Sequence, residues 1–333
     1  MKNIITSIII CVLSLTNLSA QQESHYTQFM YNKTLVNPAF TGARRVHSIY
    51  GLYRNQWIGY KGNPKSYLAS YDGPLKGDRL GIGMMVANQE MGITKNQFAN
   101  LMFSYGIIST EKMSVRVGLN TTLRRYNFDI NNPSVYIAEP NDPTLKITDL
   151  SQRNYINVGM GVYFDYKNYY LGLSVPNLNK NLIGIGVNSA STKPAEEKRH
   201  VYLMTGGLVP LTTGLELKPS IMVKYVQHAP ISADINLNVL IKRRITLGAS
   251  YRYGQSGGAG DSVDALAFFQ ATNKLGIGLA YDFTVSGLKN YVNGSVEVLM
   301  RYDFTTTKAS DKKGEVKNLQ LDKNTLSNPR FFF

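Results

Sequence analysis

Met113-Ser114-Val115-Arg116-Val117-Gly118-Leu119-Asn120-Thr121-Thr122-Leu123-Arg124 decides the fold. Its odd positions read Met, Val, Val, Leu, Thr, Leu, and its even positions Ser, Arg, Gly, Asn, Thr, Arg. A period of two gives a β-strand one apolar and one polar face. A strand of a soluble domain runs about five or six residues, whereas one crossing a bilayer at a tilt needs about 9–11. This alternation lasts long enough to cross, and it recurs through most of the chain. The expected fold is all-β: a transmembrane antiparallel β-barrel of about 14 strands, with long extracellular loops and short periplasmic turns.

The ends of the chain read differently. Lys2 leads into an apolar run from Ile4 to Leu15 and then Thr16-Asn17-Leu18-Ser19-Ala20, the pattern of a secretory signal peptide cut after Ala20. That run is too short to span a bilayer as a helix. Cys11, the single cysteine, lies inside it, so no disulfide or thiol chemistry is expected after cleavage. The expected organisation is a signal peptide over 1–20, a leader over 21–45, the barrel over 46–304, and a periplasmic tail over 305–333. The leader does not alternate. It is rich in aromatics (Tyr26, Phe29, Tyr31) and punctuated by Asn37-Pro38 and Thr41-Gly42, so it is expected to pack against the barrel lumen or its periplasmic mouth as a plug. Inward glycines (Gly81, Gly83, Gly159, Gly161, Gly276, Gly278) leave room for it, with Arg54 and Asn55 as expected partners and Asn37 facing them. The tail is lysine-rich up to its aromatic end, Ser327–Phe333.

Between the ends, fourteen alternating segments can be marked, from Val46–Gln56 to Ser295–Phe304. Pro219 interrupts the ninth, where a bulge or a strand start is expected because proline cannot donate to a ladder. Every second connection is short, as at Thr110–Lys112 and Lys242–Arg244. The others include Asn127–Arg153, Asn177–Arg199, Tyr253–Ser262 and Thr284–Gly294, with Tyr225–Pro230 as one short exception. Alternation of short and long links is the connectivity of an outer-membrane barrel.

A formal charge of +14 raises a nucleic-acid reading, which an exported chain with no basic helix or RNA-binding motif does not support. Basic residues spread over lumen, loops and tail account for it, and they can attract lipopolysaccharide phosphates. The expected inward charges are Arg116, Arg124, Asp165, Glu216, Lys218, Lys224, Asp234, Arg252, Glu297, Arg301 and Asp303. Both signs are present. Such charges pair across a filled lumen, but opposed charges also line water-filled porins, so both readings stand.

No catalytic constellation accompanies the barrel pattern. His25, His47, His200 and His228 lack metal-ligand spacing, and no serine stands out as a nucleophile. Gly81-x-Gly83 and Gly276-x-Gly278 lie inside strands, not before a helix as a phosphate loop requires. No enzyme activity, cofactor or metal is expected.

His25–Asn32 (HYTQFMYN), Asn37–Gly42 (NPAFTG), Tyr53–Trp57 (YRNQW), Tyr71–Leu75 (YDGPL), Asn88 and Gly92 after the third strand, and the Asn328–Phe332 ending (NPRFF) together resemble the PorP/SprF family of Bacteroidota. The resemblance covers essentially the whole chain. It implies an outer-membrane barrel of the type IX secretion system, either supporting export or surface anchoring of a large adhesin-like cargo or linking to the periplasmic secretion and gliding apparatus. Implied partners are outer-membrane lipid and lipopolysaccharide, a secreted adhesin-like cargo with a C-terminal sorting domain, and a periplasmic secretion-ring or peptidoglycan-linked protein. Arg54, Asn55 and Trp57 then read as leader-packing groups and an aromatic girdle residue, or as partner contacts. Arg330, Phe331 and Phe333 read as rim packing or as a docking end. The alternative function is a porin or solute transporter.

Overall fold

The computed structural model describes residues 24–75, 79–110, 112–128, 153–183, 195–227, 229–254 and 261–304. Within them lie fourteen barrel strands: β1 Ser48–Asn55, β2 Lys65–Pro74, β3 Leu80–Met91, β4 Thr94–Ser109, β5 Met113–Phe128, β6 Arg153–Tyr166 and β7 Tyr169–Val175, then β8 His200–Gly207, β9 Leu215–Val226, β10 Ser232–Ile241, β11 Ile245–Tyr253, β12 Ser262–Gln270, β13 Leu275–Thr284 and β14 Ser295–Asp303. Each pairs antiparallel with its chain neighbours, and β1 closes the sheet onto β14, with Ser48 opposite Asp303 and Arg54 opposite Glu297. Closure leaves no open edge in the bilayer, where an unpaired backbone group has no water to bond.

The strand alternation sets the two faces. In β5, Ser114, Arg116, Gly118, Asn120, Thr122 and Arg124 are buried toward the lumen, while Val117, Leu119 and Leu123 are exposed on the outside. All eleven charges assigned to the inner face are buried. The outer wall carries Leu101, Phe103, Ile156, Met160, Leu237 and Leu279, all exposed. A protein apolar outside and polar inside is built for lipid. Exposed aromatics ring both ends: Tyr166, Tyr169 and Phe269 near one rim, Tyr67, Tyr225, Tyr253 and Phe283 near the other, where amphipathic rings sit at headgroup level. No helix among the described residues is long and apolar enough to cross a membrane; the crossing is made by strands.

Two expectations are corrected. The β3–β4 connection is not long: Met91 pairs with Thr94 across a two-residue turn in which Gly92 has φ +58°. The strands run on through Asn88, Gln89, Lys95 and Asn96, where both faces have turned polar and alternation no longer marks the strand. Pro219 makes neither a bulge nor a strand start. Gly206 opposite Ser220 and Val209 opposite Leu217 keep one register, so the ladder is only interrupted, at Leu208. The missing donor leaves a gap, and pairing resumes over Val209–Thr212.

Candidate functional site in the barrel lumen

The leader enters the lumen. Its described part makes three short 3-10 turns, Phe29–Tyr31, Lys33–Leu35 and Pro38–Phe40. Asn37 sets the last: its side chain caps the turn by accepting from the Ala39 amide at 2.9 Å, and Pro38 supplies a φ already suited to the first turn. Phe29, Met30, Tyr31, Asn32, Lys33, Asn37, Ala39, Phe40 and Thr41 are all buried. A segment this short and irregular cannot bury itself, so the barrel wall does it.

At the long-loop half the leader meets a charged cluster. Arg54, next to last in β1, donates to Asp282 Oδ2 at 2.6 Å, to Glu297 Oε2 at 3.1 Å and to Thr27 Oγ1 at 3.0 Å. Thr27 donates its amide to Glu297 at 3.0 Å and its hydroxyl to Asp282 at 2.8 Å, and it accepts from Arg252 at 3.1 Å. Gln28 adds its own amide to Glu297 at 2.9 Å. Arg252 is held by Asp234 at 2.7 Å. His25 Nε2 lies 3.0 Å from Lys224 Nζ. Burial, reinforced by Lys224, lowers the His25 pKa to about 3, so the ring is neutral and accepts from the lysine.

Midway down, the contacts are apolar. Phe29, Met30 and Tyr31 pack on Leu52, Leu68, Met85, Met102 and Leu299, and Tyr31 stacks on Phe268 with centroids 4.4 Å apart. Each such ring removes on the order of 150–250 Å² from water. Lys33 is fully buried over the Phe40 and Tyr170 rings, 4.6 and 4.3 Å from their centroids. Burial and then the nearby Lys218 hold its pKa well below the ordinary lysine value.

At the short-turn rim, Arg44 grips Asp303 through both nitrogens at 2.9 and 3.2 Å, and donates to Ser48 and Tyr50. Gly42 donates to Asp72 at 3.0 Å, and Thr41 O accepts from Ser104 at 2.6 Å. The leader thus runs the depth of the lumen, beginning in its long-loop half, and is not confined to the periplasmic mouth.

The residues expected to act together fall in several places. Tyr26, Phe29 and Tyr31 of the leader fill the seat that Arg54 lines, Tyr26 accepting from Gln89 at 3.0 Å. Asn55 does not touch the leader; it accepts from Asn63 in the loop after β1. Asn37 does not face Arg54 and Asn55. It lies against the other wall, donating to Val162 O at 3.0 Å, where a Cβ on Gly161 would overlap its side chain. Trp57 sits half-buried in the loop after β1, its amide donating to Ser295. Arg330, Phe331 and Phe333 lie outside the described residues. Of the inward glycines, Gly81, Gly83, Gly161 and Gly278 face the leader; Gly159 faces Pro176 and Gly276 faces Phe268. Gly118 and Gly172, which also face it through Ala39 and Asn37, were legible only as small residues on the inner face. No group of three or more metal-ligating side chains occurs among the described residues.

The profile of the type IX secretion system membrane protein PorP/SprF family matches residues 18–302. The chain belongs to the PorP/SprF family. Family and barrel together place it in the outer membrane as a component of type IX secretion, with secretion-system components as its implied partners. No curated protein matches the sequence. Among solved structures, the deletion mutant of TodX, a monoaromatic hydrocarbon channel, is 12% identical over 82% of this chain and 94% of its own, with a TM-score of 0.50. A FadL homologue of Pseudomonas aeruginosa is 11% identical over 84% and 94%, TM-score 0.48. Omp33 of Acinetobacter baumannii is 8% identical over 78% and 98%, TM-score 0.47. At these identities the likeness is one of fold alone.

Proposed function

We propose that this PorP/SprF protein is a non-enzymatic component that supports export or surface anchoring of a large adhesin-like cargo carrying a C-terminal sorting domain, with its lumen plugged by its own leader. One observation carries this reading: the leader is locked to the wall along the lumen, from Thr27 on Glu297 and Asp282 to Arg44 on Asp303. A barrel filled in this way offers partners its rims and loops and offers solutes no wide path. The periplasmic apparatus is the natural contact of the short-turn rim, and the cargo that of the long loops. The rival reading, a solute transporter, draws on the fold shared with a hydrocarbon channel.

The test is a clean deletion strain, complemented with the full chain, in which cell-surface proteins bearing C-terminal sorting domains are quantified by shaving and mass spectrometry. The expected result is loss of one or more such proteins from the surface and their retention in the periplasm, reversed by complementation. An unchanged surface proteome together with slower uptake of a small solute would instead make the barrel a transporter.

A further inference from the structure

The short-turn rim carries positive charge that the leader's own bonds do not neutralise. Between Tyr31 and the wall lies a cavity of about 10 Å³, lined by Lys218, Arg243, Arg244, Gln270 and Arg301 among others. That is room for a single small body, a water molecule or a monatomic ion. Arg44 adds its charge from the leader. Of the carboxylates nearby, Glu216 bonds Arg243 at 2.7 Å and Asp303 bonds both Arg44 and Arg301, while Asp72 accepts from the Gly42 amide through one oxygen.

Lys218 is the focus. It is 4% exposed, and its ammonium lies 4.6 Å from the centre of the Tyr31 ring, with no hydrogen-bond acceptor among the described residues. The Tyr31 hydroxyl, from the leader side of the same cavity, is buried and has no well-formed hydrogen bond. Asn238, the cross-strand neighbour of Lys218, is buried with both amide atoms unpaired. A buried ammonium without an acceptor is costly: it gives up its proton unless an anion beside it satisfies both its hydrogens and its charge.

We propose that this cavity is a binding site for a monatomic inorganic anion, chloride in the cell, held between the Lys218 ammonium and the Tyr31 hydroxyl with Arg244 and Arg301 also in its lining. Because one ligand comes from β9 and the other from the leader, the bound anion clamps the leader to the wall. The site needs no partner and does not depend on the cargo reading.

Purified full-length protein in detergent tests it. Crystals grown in bromide should show an anomalous peak beside Lys218. Replacing gluconate by chloride at constant ionic strength should raise the thermal unfolding temperature and then saturate, and K218M should abolish that response. Y31F, which keeps the ring and its packing, should weaken it, and decides the matter should K218M fail to assemble. No anomalous peak at Lys218, or a chloride response that is unsaturating or equal in wild type and Y31F, would overturn the site and leave water in the cavity.

Discussion

Arg54 is where leader and wall are bound most tightly. Its guanidinium reaches two carboxylates and Thr27 from a side chain 2% exposed. Arg54→Ala leaves Asp282 and Glu297 buried without that partner, a loss on the order of 3–5 kcal/mol for a broken buried pair. The temperature at which the folded band disappears on a heat-modified gel should fall markedly, and Arg54→Lys should recover little of it, since an ammonium cannot span the same fork. His25 makes the lumen acid-sensitive. Its pKa is lowered from 6.5 to about 3 by burial and Lys224, so between those values the unfolded chain takes up a proton that the folded one refuses. Its contribution is complete above pH 6.5 and is lost as pH falls toward 3. Unfolding temperature measured from pH 7 to 4 should drop, and less steeply in His25→Asn. Arg54 was legible in the sequence as an inward polar group beside the leader. Asp282 as its partner was not, because the two lie 228 residues apart and no local pattern links them.

Among the elements, the fourteen strands were legible because lipid outside and polar lumen inside force a strict period of two. The pattern fails where that asymmetry ends, at the β3–β4 tip and around Pro219. The 3-10 turn after Asn37 was visible only as Asn-Pro punctuation, and its wall partner only as small residues in β6 and β7. Asn37→Ala removes a cap worth about 1 kcal/mol and the bond to Val162 O. Gly161→Leu should do more, since its side chain claims the space of Asn37; limited proteolysis should then cut the leader of Gly161→Leu before that of wild type. The connections carry a topology prediction. Single cysteines placed in 129–152 or in the Gly287–Asn290 turn should react with an impermeant maleimide on intact cells. One in Lys242–Arg244 should react only after the outer membrane is opened, and the reverse pattern would invert the barrel.

In the molecule as a whole, the barrel is filled by the segment that precedes it. Compartment and fold follow from alternation, link lengths and the signal-like start. That the leader needs burial follows from its aromatics. Its depth in the lumen does not, because the leader meets the wall through pairs drawn from nearly every strand, and only the closed sheet brings these together. Planar-bilayer recording tests the plug by comparing the full-length protein with a variant lacking Gln21–Asn32. The filled lumen predicts that the full-length protein stays silent or flickers while the deletion opens a steady conductance. A steady large conductance from the full-length protein, unchanged by the deletion, would contradict it.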